Sequence, residues 1–190
     1  MHIVALDRLR SATREAHRQL EGELDVVGRL AADDRWRLVG RYHALYSEAD
    51  ALLGPWLAGV PGLDRPARSR ADHAAHDLQD LGHAGAPGRP AAAVEIASLA
   101  EALGFLYVIE GSALGGRVIL RELSARGAPS RGLSFLDPHG ARAGEAWRGF
   151  LGVLEREVGG DEAMIGQAVA GAAKGFAHAR ACLSEAPAAT

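Results

Sequence analysis

The sequence predicts an all-α fold in a single domain, and three observations lead there. Apolar residues recur at helical period through almost every segment. No run alternates apolar with polar residues as a half-buried strand does. Glycine- and proline-rich stretches punctuate the chain where helix connections would fall.

Each element follows from that periodicity. Leu6, Leu9, Thr13, Ala16, His17 and Leu20 form one face of a first helix, with Arg8, Ser11, Arg14, Glu15 and Arg18 opposite. Asp33 and Asp34 read as the N-terminal cap of a second helix over residues 35–53. Trp36, Val39, Tyr42, His43, Tyr46 and Ala49 are spaced to face its core, and Pro55 and residues 59–61 stop it. A third helix fits residues 67–81, and residues 82–90 form the clearest loop. A long helical pattern over residues 92–126 is interrupted by glycines, and a loop follows over 127–140. The last two helices fit residues 141–157 and 161–184. The domain therefore spans residues 1–184, with 185–190 as a frayed tail.

Composition narrows the function. The 190 residues, 48% of them apolar, suffice for a sizeable core. A net charge of −3 carries no electrostatic footprint for nucleic acid, and the scattered basic residues make no membrane-binding patch. The single cysteine, Cys182, cannot form an internal disulfide, which suits a reducing compartment. Residues 1–10 lack the apolar core of a signal peptide. The longest apolar run, residues 102–109, ends at Glu110 and falls short of a bilayer span. A soluble cytoplasmic protein with neither a nucleic-acid nor a membrane partner is expected.

His17 is the first chemical anomaly. It sits on the stripe of Leu9, Thr13 and Leu20, where a polar ring must find a partner. Glu21 lies one turn on and can accept the Nδ1 proton, leaving Nε2 free as a metal ligand. Arg10 lies two turns before His17, roughly 10 Å along the axis. The alternative is a buried histidine bonded to a neighbouring glutamate. His73 and His76 form an HxxH pair near Asp77 and Asp80, a pattern that also suits a solvated helix face.

The second anomaly is the stretch LGFLYVIEGSALGGRVIL, apolar yet holding Gly104, Gly111, Gly115 and Gly116. Each glycine inside a helix costs about 1 kcal/mol against alanine. The offsetting benefit is either a kink or close approach of another object to the backbone. Gly104, Gly111 and Gly115 fall near one side of a helical wheel, with Ser112 adjacent. A flat ligand lying on that side and a tight helix–helix crossing both account for it.

Taken together, LRSATREAHRQLE (residues 9–21) and LYVIEGSALGGRVI (residues 106–119) resemble the proximal and distal helices of the heme oxygenases. The distal segment has the EGSxLGG form of bacterial, biliverdin-producing members, including those associated with bacteriophytochromes. The resemblance extends more weakly over nearly the whole chain. It implies a helical bundle holding heme between a proximal N-terminal helix and a kinked, glycine-rich distal helix. His17 then matches the iron ligand and Glu21 its hydrogen-bonding acid. Arg10 matches a propionate contact, and Arg148 matches a second by helix order. Gly111 and Gly115 match the glycines that approach the heme face, and Gly116 extends the flexible region. Tyr107 is a further candidate at the propionate edge. One departure stands out: no acid clearly matches the distal aspartate of mammalian-type members, and Ser112 is the nearest polar candidate. Glu110 points elsewhere on the wheel.

The resemblance implies oxidative cleavage of heme to biliverdin, carbon monoxide and ferrous iron, with heme as both substrate and prosthetic group and O2 as oxidant. The chain has neither a dinucleotide fingerprint nor a cysteine cluster, so electrons are expected from a ferredoxin, flavodoxin or other reductase. A bacteriophytochrome is a candidate biliverdin acceptor. The main alternative is a heme-binding carrier or sensor without turnover. A non-heme metal or thiamin-type enzyme on a related bundle, and a purely structural module, are further rivals. The absence of paired Glu-x-x-His repeats weighs against a di-iron site.

Overall fold

The computed structural model describes residues 3–63, 69–85 and 93–184, and all regular structure among them is helical. The seven α-helices are α1 (Val4–Leu24), α2 (Val26–Ala31), α3 (Trp36–Leu57), α4 (Ala71–Asp80), α5 (Leu99–Ala125), α6 (Ala143–Val158) and α7 (Glu162–Leu183). Two 3-10 turns, Ser134–Leu136 and Gly140–Arg142, lie between α5 and α6. The expected tail, the start of the third helix at 67 and much of the loop over 82–90 lie outside the described residues.

Helix ends show where local chemistry agrees with the fold. The Ser98 hydroxyl accepts the Glu101 N–H at the start of α5, and the Glu101 carboxylate accepts the Ala97 N–H at 2.9 Å. Asp161 caps α7 by accepting from Ala163 and Met164. Asp25 joins α1 to the short α2, which the periodicity did not reveal. Its φ of 37° places it in the left-handed region, and its carboxylate accepts the Gly28 N–H.

Three expectations are corrected. Neither Asp33 nor Asp34 caps α3; Arg35 precedes it without a side-chain cap, and its guanidinium bonds the Pro129 carbonyl at 2.7 Å. Pro55 does not stop α3 but lies inside its last turn, where helical bonding persists from the Ala58 N–H to the Gly54 carbonyl. The glycines do not interrupt α5, which begins at Leu99 and runs unbroken for 27 residues.

That helix is also long and apolar enough, by length and composition, to cross a membrane. The sequence expectation counted Glu110 as a break, but Glu110 is buried within the continuous helix. Half of the most apolar window of α5 is buried inside the protein, as befits a core helix.

The core is one connected cluster in which Phe105, Phe135 and Phe150 are completely enclosed. At its centre α5 packs on α7, and glycines allow the approach. A Cβ on Gly104 would meet the Ala168 carbonyl oxygen at 1.8 Å, and one on Gly171 would meet the Glu101 carbonyl oxygen at 1.9 Å. Gly116 is likewise pressed on the 3-10 turn, where a Cβ would meet the Leu136 carbonyl oxygen at 2.1 Å. That turn is tied to α4 by Asp77, whose buried carboxylate accepts the Ser134 and Phe135 N–H groups at 3.0 and 2.9 Å. Asp77 is thus an internal anchor rather than part of a solvated face.

Gly104→Ala or Gly171→Ala should lower unfolding free energy by roughly 1–3 kcal/mol through overpacking, despite the better helix propensity of alanine. Gly22→Ala and Gly166→Ala meet open space and should be neutral or stabilising by up to about 1 kcal/mol. Urea denaturation checks both; equal stability of Gly104→Ala and the wild type would refute the close α5–α7 contact.

Candidate functional site

Helices α1 and α5 each pack against α7, and between them opens a cleft of about 290 Å³. Its wall is largely apolar, with Leu20, Leu24, Val108, Ile109 and Phe176 among the lining residues. Polar groups enter from two sides, as ligand clefts generally require.

From α1 come Arg10, His17 and Glu21. His17 is not a buried core histidine: its side chain is 60% exposed, facing a cleft that it lines. Its Nδ1 lies 3.2 Å from the Glu21 carboxylate, the pairing expected from the spacing. The edge of its ring meets Phe176 of α7, with centroids 5.9 Å apart. The contacts on Nδ1 leave Nε2 as the ring atom available to a ligand.

From α5 come Tyr107, Gly111, Ser112 and Gly115. The glycines of this helix separate into two kinds. Gly104 and Gly116 have no side chain because protein backbone occupies that space. A Cβ on Gly115 would meet nothing within 4 Å, and one on Gly111 would meet only the Trp147 ring at 3.9 Å. Both residues line the cleft. Their helix-propensity cost is not offset by packing against protein, so bare backbone is presented to whatever enters.

Tyr107 stands at the same end of the cleft as Arg10. Burial raises its hydroxyl pKa, while the Thr13 hydroxyl and the Arg10 charge act in the opposite direction. The phenol is therefore a neutral hydrogen-bonding group beside a cation. Gly116 and Arg148 are not brought into the lining: the first is buried on the Leu136 turn and the second lies on the exposed face of α6. From α6 it is Trp147 that reaches the cleft, against Tyr107.

Sequence reasoning missed Arg70, Tyr42 and Tyr46, which close the distal side. Arg70 is 4% exposed and donates to the Phe135 carbonyl, the Ile109 carbonyl at 3.0 Å and the Ser112 hydroxyl at 2.5 Å. Its guanidinium also lies over the Tyr46 ring, 4.5 Å from the centroid. Ser112 donates in turn to the Ile109 carbonyl at 2.7 Å, so its hydroxyl is held between its own helix and Arg70. Burial raises the pKa of Tyr42 and Tyr46, with Arg70 opposing, and keeps both phenols neutral. No spacing marks Arg70 in the sequence, because its hydrogen-bond partners lie 39 to 65 residues away. Glu21 is the one carboxylate among the described lining residues, and Glu110 is buried elsewhere.

Arg70→Met should destabilise the fold by about 2–4 kcal/mol, because it strands two buried carbonyls and removes a charge-assisted bond to Ser112. Urea unfolding is the check, and wild-type stability would contradict the bonding described.

No family model matches the chain. It is 36% identical over 160 residues to a heme oxygenase of Xanthomonas campestris, covering 83% of this chain and 93% of that protein. It is 34% identical over 155 residues to the heme oxygenase PigA of Pseudomonas aeruginosa, covering 78% and 76%. Its fold is similar to that of the heme oxygenase of Neisseria meningitidis, solved with NO and CO bound. The TM-score is 0.75 at 21% identity, over 96% of this chain and 91% of that one.

Proposed function

The chain belongs to the heme oxygenase family, and from that premise we propose that the cleft between α1 and α5 holds heme with His17 as axial iron ligand. The reaction is cleavage of heme to biliverdin, carbon monoxide and ferrous iron, with O2 as oxidant. One observation carries the site assignment. An imidazole paired with a carboxylate faces the same cleft as Gly115, whose missing side chain leaves open space, and Gly111, which meets only the Trp147 ring at 3.9 Å.

Heme, as substrate and prosthetic group, supplies the iron at which O2 is activated. The protein's part is to bind, orient and polarise. The Glu21 carboxylate, 3.2 Å from Nδ1 of His17, is placed to accept its proton, which would fix the tautomer and leave Nε2 for the iron. A neutral histidine, unlike a thiolate, gives the iron no strong electron push. Gly111 and Gly115 let backbone lie against the opposite ring face. Arg10 and Tyr107 form a polar edge suited to the propionates, Arg10 by charge and Tyr107 as a neutral donor. Arg148 and Gly116 fall outside this constellation, so in this reading Arg10 carries the charge at that edge and Gly116 serves packing.

On the distal side, the pair Arg70–Ser112 stands in for the missing carboxylate. A guanidinium held by buried carbonyls is a fixed positive charge that needs no reorganisation. With heme bound, it would lend this side of the cleft a preorganised positive charge. Electrons come from an external ferredoxin, flavodoxin or reductase, and a bacteriophytochrome is the proposed acceptor of biliverdin.

The decisive experiment adds hemin to the purified protein and supplies ascorbate or a ferredoxin system in air. A biliverdin band should grow in the wild type. His17→Ala should lose the axial-histidine spectrum and at least about 100-fold of the turnover, roughly 2.7 kcal/mol. A wild-type heme spectrum with full activity in that variant would remove His17 as ligand; a heme spectrum without biliverdin in the wild type would reduce the protein to a carrier. Gly115→Leu should weaken hemin binding at least tenfold, about 1.4 kcal/mol, without lowering the melting temperature.

A further inference from the structure

A second constellation of ligating side chains lies in the core, away from the cleft lining. Glu48 of α3 and His178 and Cys182 of α7 each offer one ligand atom, all within 4.8 Å of one another. His178 is 4% exposed and Cys182 fully buried, while the Glu48 side chain is 31% exposed. None of the three lines the cleft.

The geometry is that of convergence, not of a proton relay. In a nucleophilic triad the imidazole takes its two partners on opposite ring nitrogens. Here both contacts fall on Nε2: the Glu48 carboxylate oxygen at 3.4 Å and the Cys182 sulfur at 3.7 Å. The other nitrogen, Nδ1, is buried without a hydrogen-bond partner, so the polar contacts of this ring lie on the Nε2 side. Around a tetrahedral zinc ion with bonds of about 2.0 Å to nitrogen and oxygen and about 2.3 Å to sulfur, neighbouring ligand atoms sit roughly 3.3–3.6 Å apart. The two separations on Nε2, 3.4 and 3.7 Å, lie near those edges, and the Glu48–Cys182 pair, within 4.8 Å, closes on binding.

We propose that Glu48, His178 and Cys182 form a zinc site that clamps α7 to α3. The thiolate and imidazole select a thiophilic ion over magnesium or calcium, and the carboxylate brings a further charge to neutralise it. Occupation displaces the Cys182 proton and leaves the imidazole neutral. Burial already favours the neutral ring, against the pull of Glu48. An apolar core tolerates polar groups when they are held together, and zinc would bind all three donors at once. The proposal is independent of heme, because His17 and the cleft play no part in it.

Cobalt spectroscopy on the heme-free, full-length protein provides the test. Cys182 is the only cysteine, so a thiolate-to-cobalt charge-transfer band can arise only at this position. Titration with Co2+ should produce that band with 1:1 stoichiometry, and Zn2+ should displace it. Cys182→Ser should abolish the band, and His178→Ala should weaken Zn2+ binding at least tenfold, the lower end of losses seen even for outer-shell changes. His17→Ala should leave both unchanged. The wild-type titration needs no variant to fold, and circular dichroism monitors those that are made. The absence of a charge-transfer band in folded wild-type protein, or undiminished affinity in folded His178→Ala, would overturn the proposal.

Discussion

The contact on which the rest of this structure depends is the meeting of two helix backbones, α5 and α7, across Gly104 and Gly171. At both positions a single methyl group would collide with a carbonyl of the other helix. Nothing larger than hydrogen fits, so the two helices hold a fixed register. Phe105, Val108 and Phe176 pack around that line. With one side of α5 committed to α7, its other side is left facing α1 across open space, and that space is the cleft.

The same helix therefore uses glycine for two opposite purposes. Gly104 and Gly116 let protein approach protein, and they stiffen the scaffold by bringing backbone into contact. Gly111 and Gly115 instead present a bare strip of backbone to the cleft. Rigidity on one side and vacancy on the other belong together. A strip of backbone is useful to a planar ligand only if the helix carrying it does not move into the gap.

Polarity in the cleft follows the same division of labour. The α1 wall contributes an exposed histidine with its exposed carboxylate. The distal wall contributes Arg70, a buried cation affordable only because the Phe135 and Ile109 carbonyls, the Ser112 hydroxyl and the Tyr46 ring all face it. The Phe135 carbonyl is in turn placed by the Ser134–Leu136 turn, which Asp77 anchors and Gly116 receives. The distal charge thus rests on a chain of contacts that begins outside the cleft.

Much of this was legible in residues close together in the chain. Helical period, the His17–Glu21 spacing and the line from Arg10 to His17 are properties of one helix, and the geometry of an isolated helix determines them. The glycine content of residues 103–120 likewise showed that something must approach that backbone. What approached each glycine was not legible, because the wheel that groups Gly104 with Gly111 and Gly115 knows nothing of α7. Arg70, Asp77 and the inward turn of Trp147 rather than Arg148 were hidden for the same reason. The role of each is set by partners distant in sequence, and a buried polar group is recognised only once its partners are in place. The sequence by itself determined the helices and the chemistry carried on single faces. Tertiary packing alone decided which faces meet protein and which are left open to the cleft, because desolvation and steric contact depend on the neighbours that folding brings together.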